Sequence, residues 1–316
     1  MKLPDAAKLP VINGVGPSVI VLPHTFESGE TAYKWKTVLD FLTERFTNLT
    51  RGDIVSRIEN GMVRDVNGEA ISVTAGYQPQ QKLYYYRAIE NELPVPFHET
   101  ILFEDELIVV ADKPHFLAVT PGGRFLQETL LIRLKRKLAN NLLAPMHRID
   151  RETAGLVLFC KVPALRGKYQ LLFQQRQVQK TYLAVATSVT KLRLPITYRS
   201  RIETSENFMQ MQEVAGEANA EVCIECLHAD AAAGAATHAL YQLRPVTGKK
   251  HQLRVQMAAL GLPILGDQIY PTHVGAANED TSQPLQLLAQ KIAFTDPVTG
   301  AVREFMSART LKHAPV

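Results

Sequence analysis

Pro94-Val95-Pro96 interrupts the chain within its first third, and neither proline is at home in a helix interior or a central strand. The segment reads as a linker, and the patterns on its two sides differ. Before it, Pro4, Pro10, Pro17 and Pro23 surround one short apolar run, Val19 to Leu22. Residues 1–36 are therefore expected to be an extended lead-in or edge strand. From Thr37, the apolar residues Val38, Leu39, Leu42, Phe46 and Leu49 recur at helical spacing. A second helix is expected over Arg51–Glu59, with Ile54 and Ile58 one turn apart and Asn60-Gly61 as its stop. Met62 to Ile71 reads as two strands around Asn67-Gly68. Residues 37–92 thus make a small α+β domain. Residues 93–316 make a second, larger one, where strand candidates (Leu107–Ala111, Gly155–Lys161, Thr181–Ala186, Leu240–Leu243) alternate irregularly with helices near 126–138 and 166–177. This is α+β patterning, not a regular βαβ repeat.

Composition excludes several classes. With 316 residues, 46% of them apolar and 21% charged, the chain can build two cores. The net charge of +4 rules out a basic tail protein and an acidic solvating one, and leaves room for a local basic cleft. In the helix near 126–138, Leu126, Leu130, Leu134 and Leu138 share a face, so Arg133, Lys135, Arg136 and Lys137 are expected on a solvated side. Cys160, Cys223 and Cys226 are too few and too odd in number for a disulfide framework, which points to a reducing, cytoplasmic setting. Cys223 and Cys226 fall in a strand-like run and read as packing residues. The Ala-rich stretch 229–237 reads as a hairpin loop. No apolar leader follows Met1 and no apolar run reaches 18 residues, so secretion and membrane spanning are not expected. No phosphate-binding glycine loop, dinucleotide fingerprint or metal-ligand spacing of the nine histidines is found, and no cofactor or metal is expected.

Two segments concentrate polar chemistry. Met146-His147-Arg148-Ile149-Asp150-Arg151-Glu152-Thr153 runs directly into the aliphatic strand Ala154–Phe159. A strand edge is a rigid support for reactive side chains, although an ordinary surface turn has the same composition. In Pro245-Val246-Thr247-Gly248-Lys249-Lys250-His251-Gln252-Leu253-Arg254, a turn opens a helix on which His251 and Arg254 share a face. Such a cluster suits phosphates or a carboxylate. Combined with Asp150, it could form a buried Asp–Arg pair that keeps the carboxylate ionised for nucleophilic attack.

His147-Arg148-Ile149-Asp150 with Thr153-Ala154-Gly155-Leu156 resembles the H-R-L-D-x-x-T-S-G-L signature of the RluA-type RNA pseudouridine synthases. Further segments resemble the family in its own order. They are Lys113-Pro114 with Val119-Thr120-Pro121, Lys180-Thr181-Tyr182-Leu183-Ala184, Pro245 to Arg254, Gly261 to Tyr270, and Phe294 to Gly300. Together they span the chain from about Glu99 onward. Departures include Ile149 for Leu, Ala154 for Ser or Thr, Lys249 for Arg, Gln256 for His, and Phe116 where Gly is usual. The resemblance implies a catalytic domain on a mixed, mainly antiparallel sheet with flanking helices. It implies Asp150 as the nucleophile, attacking the uracil ring or the ribose anomeric carbon. The glycosidic bond then breaks, the base turns, and a bond forms at C5. Tyr182 would lie over the extruded base and serve as general base, and Arg254 would pair with Asp150. Arg148 would fill the gap left by the base or hold RNA backbone. His147, Lys249, His251 and Leu253 would complete the substrate site. The implied partner is structured RNA, 23S rRNA or tRNA, acted on by a monomer without metal or cofactor.

The stretch 37–88 resembles the S-four-type RNA-binding domain. Its Arg45, Arg51, Arg57, Arg64, Lys82 and Arg87 are balanced by Asp40, Glu44, Asp53, Glu59, Asp65 and Glu69, so no general phosphate attraction follows. Two other functions fit parts of the pattern: a non-catalytic RNA-binding or assembly protein, and an N-glycosidase, although the latter ordinarily wants paired carboxylates. A protein kinase is excluded, because Gly155 stands where the catalytic-loop Asn belongs.

Overall fold

A computed structural model describes residues 9–24, 33–87, 92–188, 192–207, 210–229, 238–271 and 281–315. The chain divides into two compact units, Met1–Glu92 and Leu93–Val316. The first contains β1 (Ser18–Val21), α1 (Val38–Arg45), α2 (Arg51–Glu59), β2 (Val63–Arg64) and β3 (Lys82–Tyr85). Both helices start in capping boxes, Thr37 with Asp40 and Thr50 with Asp53, which satisfy N–H groups that have no partner inside the helix. Their apolar faces cover an antiparallel sheet of order β1-β3-β2. The expected hairpin at Asn67-Gly68 shrinks to one bridge, Arg64 to Ala70, and β2 pairs with β3 instead. The Asp65 carboxylate accepts the Asn67 and Glu69 N–H groups, and Arg64 donates to the Gly68 carbonyl. These side-chain bonds occupy groups that a second strand would need.

The second unit contains β4 (Thr100–Glu104), β5 (Ile108–Lys113), α3 (Leu130–Lys137), β6 (Ala144–Pro145), β7 (Ala154–Cys160), α4 (Arg166–Gln174), β8 (Gln179–Thr187) and β9 (Ile196–Thr204). It continues with β10 (Met211–Val214), β11 (Ala220–Ala229), β12 (His238–Pro245), α5 (Gln252–Ala259), β13 (Leu287–Thr295) and β14 (Val302–Met306). One 11-stranded sheet runs β10-β9-β11-β12-β8-β13-β7-β5-β4, with β14 on β13 and β6 on β7. Among the described strand pairings of this sheet only β7 with β13 is parallel, so the sheet is mixed and mainly antiparallel. That parallel contact is the seam between two antiparallel halves. Gly155 lies on it at φ +112°, and a Cβ there would come within 2.3 Å of the Ala289 carbonyl oxygen. Only glycine permits so close an approach.

β5 and β7 are buried along their whole length because helices cover both faces. Val109, Ala111, Val157 and Phe159 meet Leu130 and Leu134 of α3. Ile108, Val110, Leu156 and Leu158 meet Tyr169 and Leu172 of α4 on the other face. Leu253 and Met257 of α5 pack on the β8-β12-β11 half.

Arg133 departs from the solvated face expected for it. Its side chain is mostly buried and donates to the Val95 and Phe97 carbonyls at 2.6 and 2.7 Å, with Glu128 beside it. The Pro94–Pro96 segment is thereby anchored against α3, with Val95 in the core. Cys223 and Cys226 lie in β11, three residues apart and so on opposite faces, and all three cysteines are free. Residues 230–237, which hold most of the expected Ala-rich loop, lie outside the described residues. Among the described residues no helix is long and apolar enough to cross a membrane. Nor are three or more His, Cys, Asp or Glu side chains grouped to hold a metal ion.

Candidate active site

Strand register carries one line across the sheet: Lys113 of β5, Gly155 of β7, Ala289 of β13, Tyr182 of β8 and Leu243 of β12. Gly155 and Tyr182 are two strand spacings apart, about 10 Å. The loop 146–153 enters β7 just beside this line. His147 holds it from one side: its Nε2 accepts the Leu158 N–H at 3.1 Å, and its ring stacks on Phe173 at 4.8 Å. Burial pushes the His147 pKa down to about 3, so the imidazole is neutral and free to accept. From the other side, Lys113 Nζ donates to the Pro114 and Arg151 carbonyls at 2.9 and 3.0 Å. His115 Nδ1 donates to the Glu152 carbonyl at 2.6 Å.

The carboxylate of Asp150 meets α5. That helix is preceded by His251 in the left-handed region, φ +54°. Gln252 fixes the turn: its Oε1 accepts from Thr247 Oγ1 and the Lys249 N–H, and its Nε2 donates to the Glu221 carbonyl. Arg254, 1% exposed, donates through Nε and Nη2 to the buried Asp267 carboxylate at 2.8 and 2.7 Å. Its Nη1 reaches Asp150 Oδ2 at 3.3 Å and stands 3.6 Å from Glu152. The charges and bonds of these carboxylates raise the Arg254 pKa against the effect of its burial, so the guanidinium is permanently charged. Asp150 is thus paired with Arg254, but through one nitrogen of a fork whose other two are committed to Asp267.

The second oxygen of Asp150, Oδ1, makes no hydrogen bond among the described residues, and His251 Nε2 stands 4.0 Å from it. Tyr270 Oη accepts the Met211 N–H at 2.8 Å and meets His251 Nδ1 at 3.0 Å. With the phenol donating to Nδ1, the remaining imidazole N–H faces Asp150. Burial lowers the His251 pKa and favours this neutral ring.

Asp150 opens into a cleft of about 940 Å³. Tyr182 lines it with its pKa raised by burial and by the Asp150 charge, so the phenol is held protonated. Lys180 donates to the Thr247 carbonyl at 3.1 Å and ties the cleft walls together. Arg148 and Lys249 are exposed on the cleft, and Leu253 is buried in the core beneath it. All eight residues expected from the sequence (His147, Arg148, Asp150, Tyr182, Lys249, His251, Leu253 and Arg254) line this one cleft.

Sequence reasoning missed Asp267, Glu152 and the Lys113–His115 clamp. The signal for Asp267 was its preceding glycine: Gly266 has φ +76°, and a Cβ there would lie 2.5 Å from the Pro284 carbonyl oxygen. Phe116, standing where the resembled pattern has Gly, keeps the glycine-like backbone at φ +65°. That conformation costs a bulky residue about 1–2 kcal/mol.

A family model described as RNA pseudouridylate synthase matches residues 107–259, a span that includes both polar segments and the whole of α5. Residues 107–259 belong to the RNA pseudouridylate synthase family. Among the family's members the chain is 29% identical over 249 residues to an uncharacterized RNA pseudouridine synthase of Synechocystis, covering 78% of this chain and 84% of that one. It is 27% identical over 298 residues to ribosomal large subunit pseudouridine synthase D of Pasteurella multocida, covering 87% and 86%. It is 29% identical over 216 residues to tRNA pseudouridine synthase C of the same species, covering 63% and 86%. The solved structure of human RNA pseudouridylate synthase domain containing 1 matches in fold, with a TM-score of 0.55 at 22% identity over 67% of this chain and 84% of that one.

Proposed function

We infer that this pseudouridine synthase isomerises uridines in structured RNA, ribosomal or transfer, with Asp150 as its nucleophile. The observation that carries the reading is the state of Asp150. One carboxylate oxygen is held by Arg254, the other has no hydrogen-bond partner among the described residues, and the side chain is 24% exposed to the cleft. A nucleophile needs that combination of fixed orientation and open access. Arg254 orients the carboxylate, and His251 Nε2–H approaches the oxygen that would attack. The uridine must leave its stack to reach this depth. Arg148 and Lys249, both exposed on the cleft, are suited to hold RNA around it.

The reaction balances within the substrate. Asp150 forms a bond to the nucleotide and the C1′–N1 bond breaks. The base turns, C1′–C5 forms, the bond to Asp150 breaks to return the free carboxylate, the C5 proton departs and N1 takes a proton. Such chemistry requires no cofactor, and the reading takes the protein as a cytoplasmic monomer without metal. Tyr182, held protonated, packs against the base and takes the C5 proton only in step with loss of its own. His147 acts as a strut for the loop, and Leu253 as the cleft floor. Residues 37–92 are read as an S-four-like RNA-binding domain.

The test is carbodiimide mapping of pseudouridine in total RNA from a strain lacking the gene, and from that strain carrying the intact or Asp150→Ala gene. A stop that disappears on deletion and returns only with the intact gene is the expected result. Full complementation by Asp150→Ala would favour the non-catalytic RNA-binding reading, and release of free uracil would favour an N-glycosidase.

A further inference from the structure

Beside Asp150, the structure holds a cluster that the isomerisation does not use. The Arg151 guanidinium carbon lies 4.8 Å from the Phe125 ring centre and 5.8 Å from that of Phe116. Arg124 lies over the same Phe125 ring at 5.2 Å. Two guanidiniums therefore share one aromatic ring, with a second ring against Arg151. Phe116 in turn packs against Phe97 at 5.8 Å and is itself buried. Phe125 and Arg124 belong to a tight turn closed by reciprocal backbone bonds between Gly122 and Phe125, at 2.9 and 3.1 Å. Ala118, Val119 and Thr120, which lead into that turn, line the cleft, as does Arg151.

Two features show that this cluster is built rather than incidental. First, Phe116 occupies a left-handed backbone position that a glycine would adopt without strain. A strained aromatic residue persists where its ring is needed. Second, Arg151 is held with little hydrogen bonding. It makes one 3.3 Å contact with Glu152, and its buried Nε has no hydrogen-bond partner among the described residues. A guanidinium packed against aromatic rings can still present N–H groups at its edge, the geometry that recognises phosphate.

We propose that Arg151, packed on Phe116 and Phe125, forms with Arg124 a phosphate-binding rim for the RNA backbone beside the extruded uridine. This rests on the pseudouridine synthase reading and adds to it a subsite on the Asp150 side of the cleft. The rim fixes one flank of the strand while Asp150 works on the nucleotide next to it. Arg151 and Arg124 act in binding, so their loss raises the dissociation constant and leaves the chemical step intact.

The experiment measures binding and turnover separately. The probes are bulk tRNA and 23S rRNA transcripts, bound to the full-length Asp150→Ala protein at several salt concentrations. Onto it are placed Arg151→Lys, Arg151→Gln, Arg124→Gln, Phe125→Leu and Phe116→Gly. Turnover is followed in the same variants with Asp150 intact, and melting temperatures confirm folding. Arg151→Lys and Phe125→Leu are each expected to weaken binding five- to tenfold, because one loses the planar fork and the other the ring that holds it. Their combination is expected to be no worse than either alone. Arg151→Gln and Arg124→Gln should each reduce the salt slope of log Kd by about 0.7–0.9. With folding confirmed, kcat at saturating RNA stays within twofold of the intact enzyme. An unchanged salt slope in both glutamine variants overturns the rim, as does a fall in kcat with Kd unchanged. Absence of wild-type turnover would overturn the synthase reading and leaves the binding result to judge the rim alone. Phe125→Leu, on a partly exposed ring, keeps the test decisive if Phe116→Gly fails to fold.

Discussion

Arg254 ties three carboxylates to one guanidinium, two nitrogens to Asp267 and the third toward Asp150 and Glu152. Replacing it with alanine would leave Asp267 buried with only its Ile269 and Tyr270 backbone donors. Unpairing a buried charge costs about 3–5 kcal/mol. Arg254→Ala is therefore expected to lower stability by that order in urea unfolding and to abolish turnover. Arg254→Lys, which keeps charge without the fork, should recover part of the stability and little of the activity. An unchanged urea midpoint for Arg254→Ala would refute the structural share of this role. Lys113 presents the opposite case, a cation in full burial. Burial holds its pKa down to about 7, and a neutral amine has two N–H donors for the two carbonyls it meets. Its folded pKa lies below the unfolded value near 10.4. Between these values the unfolded chain binds the extra proton, so the Lys113 contribution to stability rises with pH from about 7 to about 10. The melting temperature of the intact protein should gain on that of Lys113→Met between pH 7 and 9.5. A constant difference would mean that the amine stays charged.

Elements position these residues through the seam between β7 and β13. Because the backbones there approach too closely for a Cβ, Gly155→Ala must push Ala289 aside between two buried strands. The expected cost is at least about 2 kcal/mol, since overpacking and a strained positive φ act together. Gly167 in α4 has open space where a methyl group would sit, and Gly167→Ala should instead stabilise by about 0.5–1 kcal/mol. Urea midpoints of the two variants should move in opposite directions; equal shifts would dismiss the seam as a constraint. The helices and most strands were legible because their apolar residues repeat locally, as with Val38, Leu39 and Leu42, or Val157 and Phe159. The eight cleft residues were legible because two compact segments contain seven of them and the Lys180–Ala184 strand adds Tyr182. The seam was not, because β7 and β13 are more than a hundred residues apart and their register is set by tertiary packing. Asp267 lies within the Gly261–Tyr270 segment, but nothing local to it says that its partner is Arg254. Arg133 misled for the same reason: a charged helix residue looks solvated until two backbone carbonyls are found against it.

At the scale of the whole molecule, the charge is unevenly divided. Residues 1–92 contain ten Lys and Arg against eleven Asp and Glu, so the positive excess of the chain belongs to residues 93–316. Counterion release makes the salt dependence of RNA binding report phosphate contacts, with a slope of roughly 0.7–0.9 for each. If the first unit docks RNA by shape and by local hydrogen bonds, it adds affinity without adding slope. If instead Arg51 and Arg57 of α2 grip phosphates, their removal takes slope away even though the unit is neutral on average. Each unit has its own apolar core, so a chain beginning at Leu93 is a fair comparison. That chain is expected to keep kcat on a given RNA and to show a raised KM, with the dependence of log kcat/KM on log salt unchanged. A slope shallower by about one or more would place phosphate contacts on the first unit, and would mean that its arginines gather on one face despite the balance of its charges.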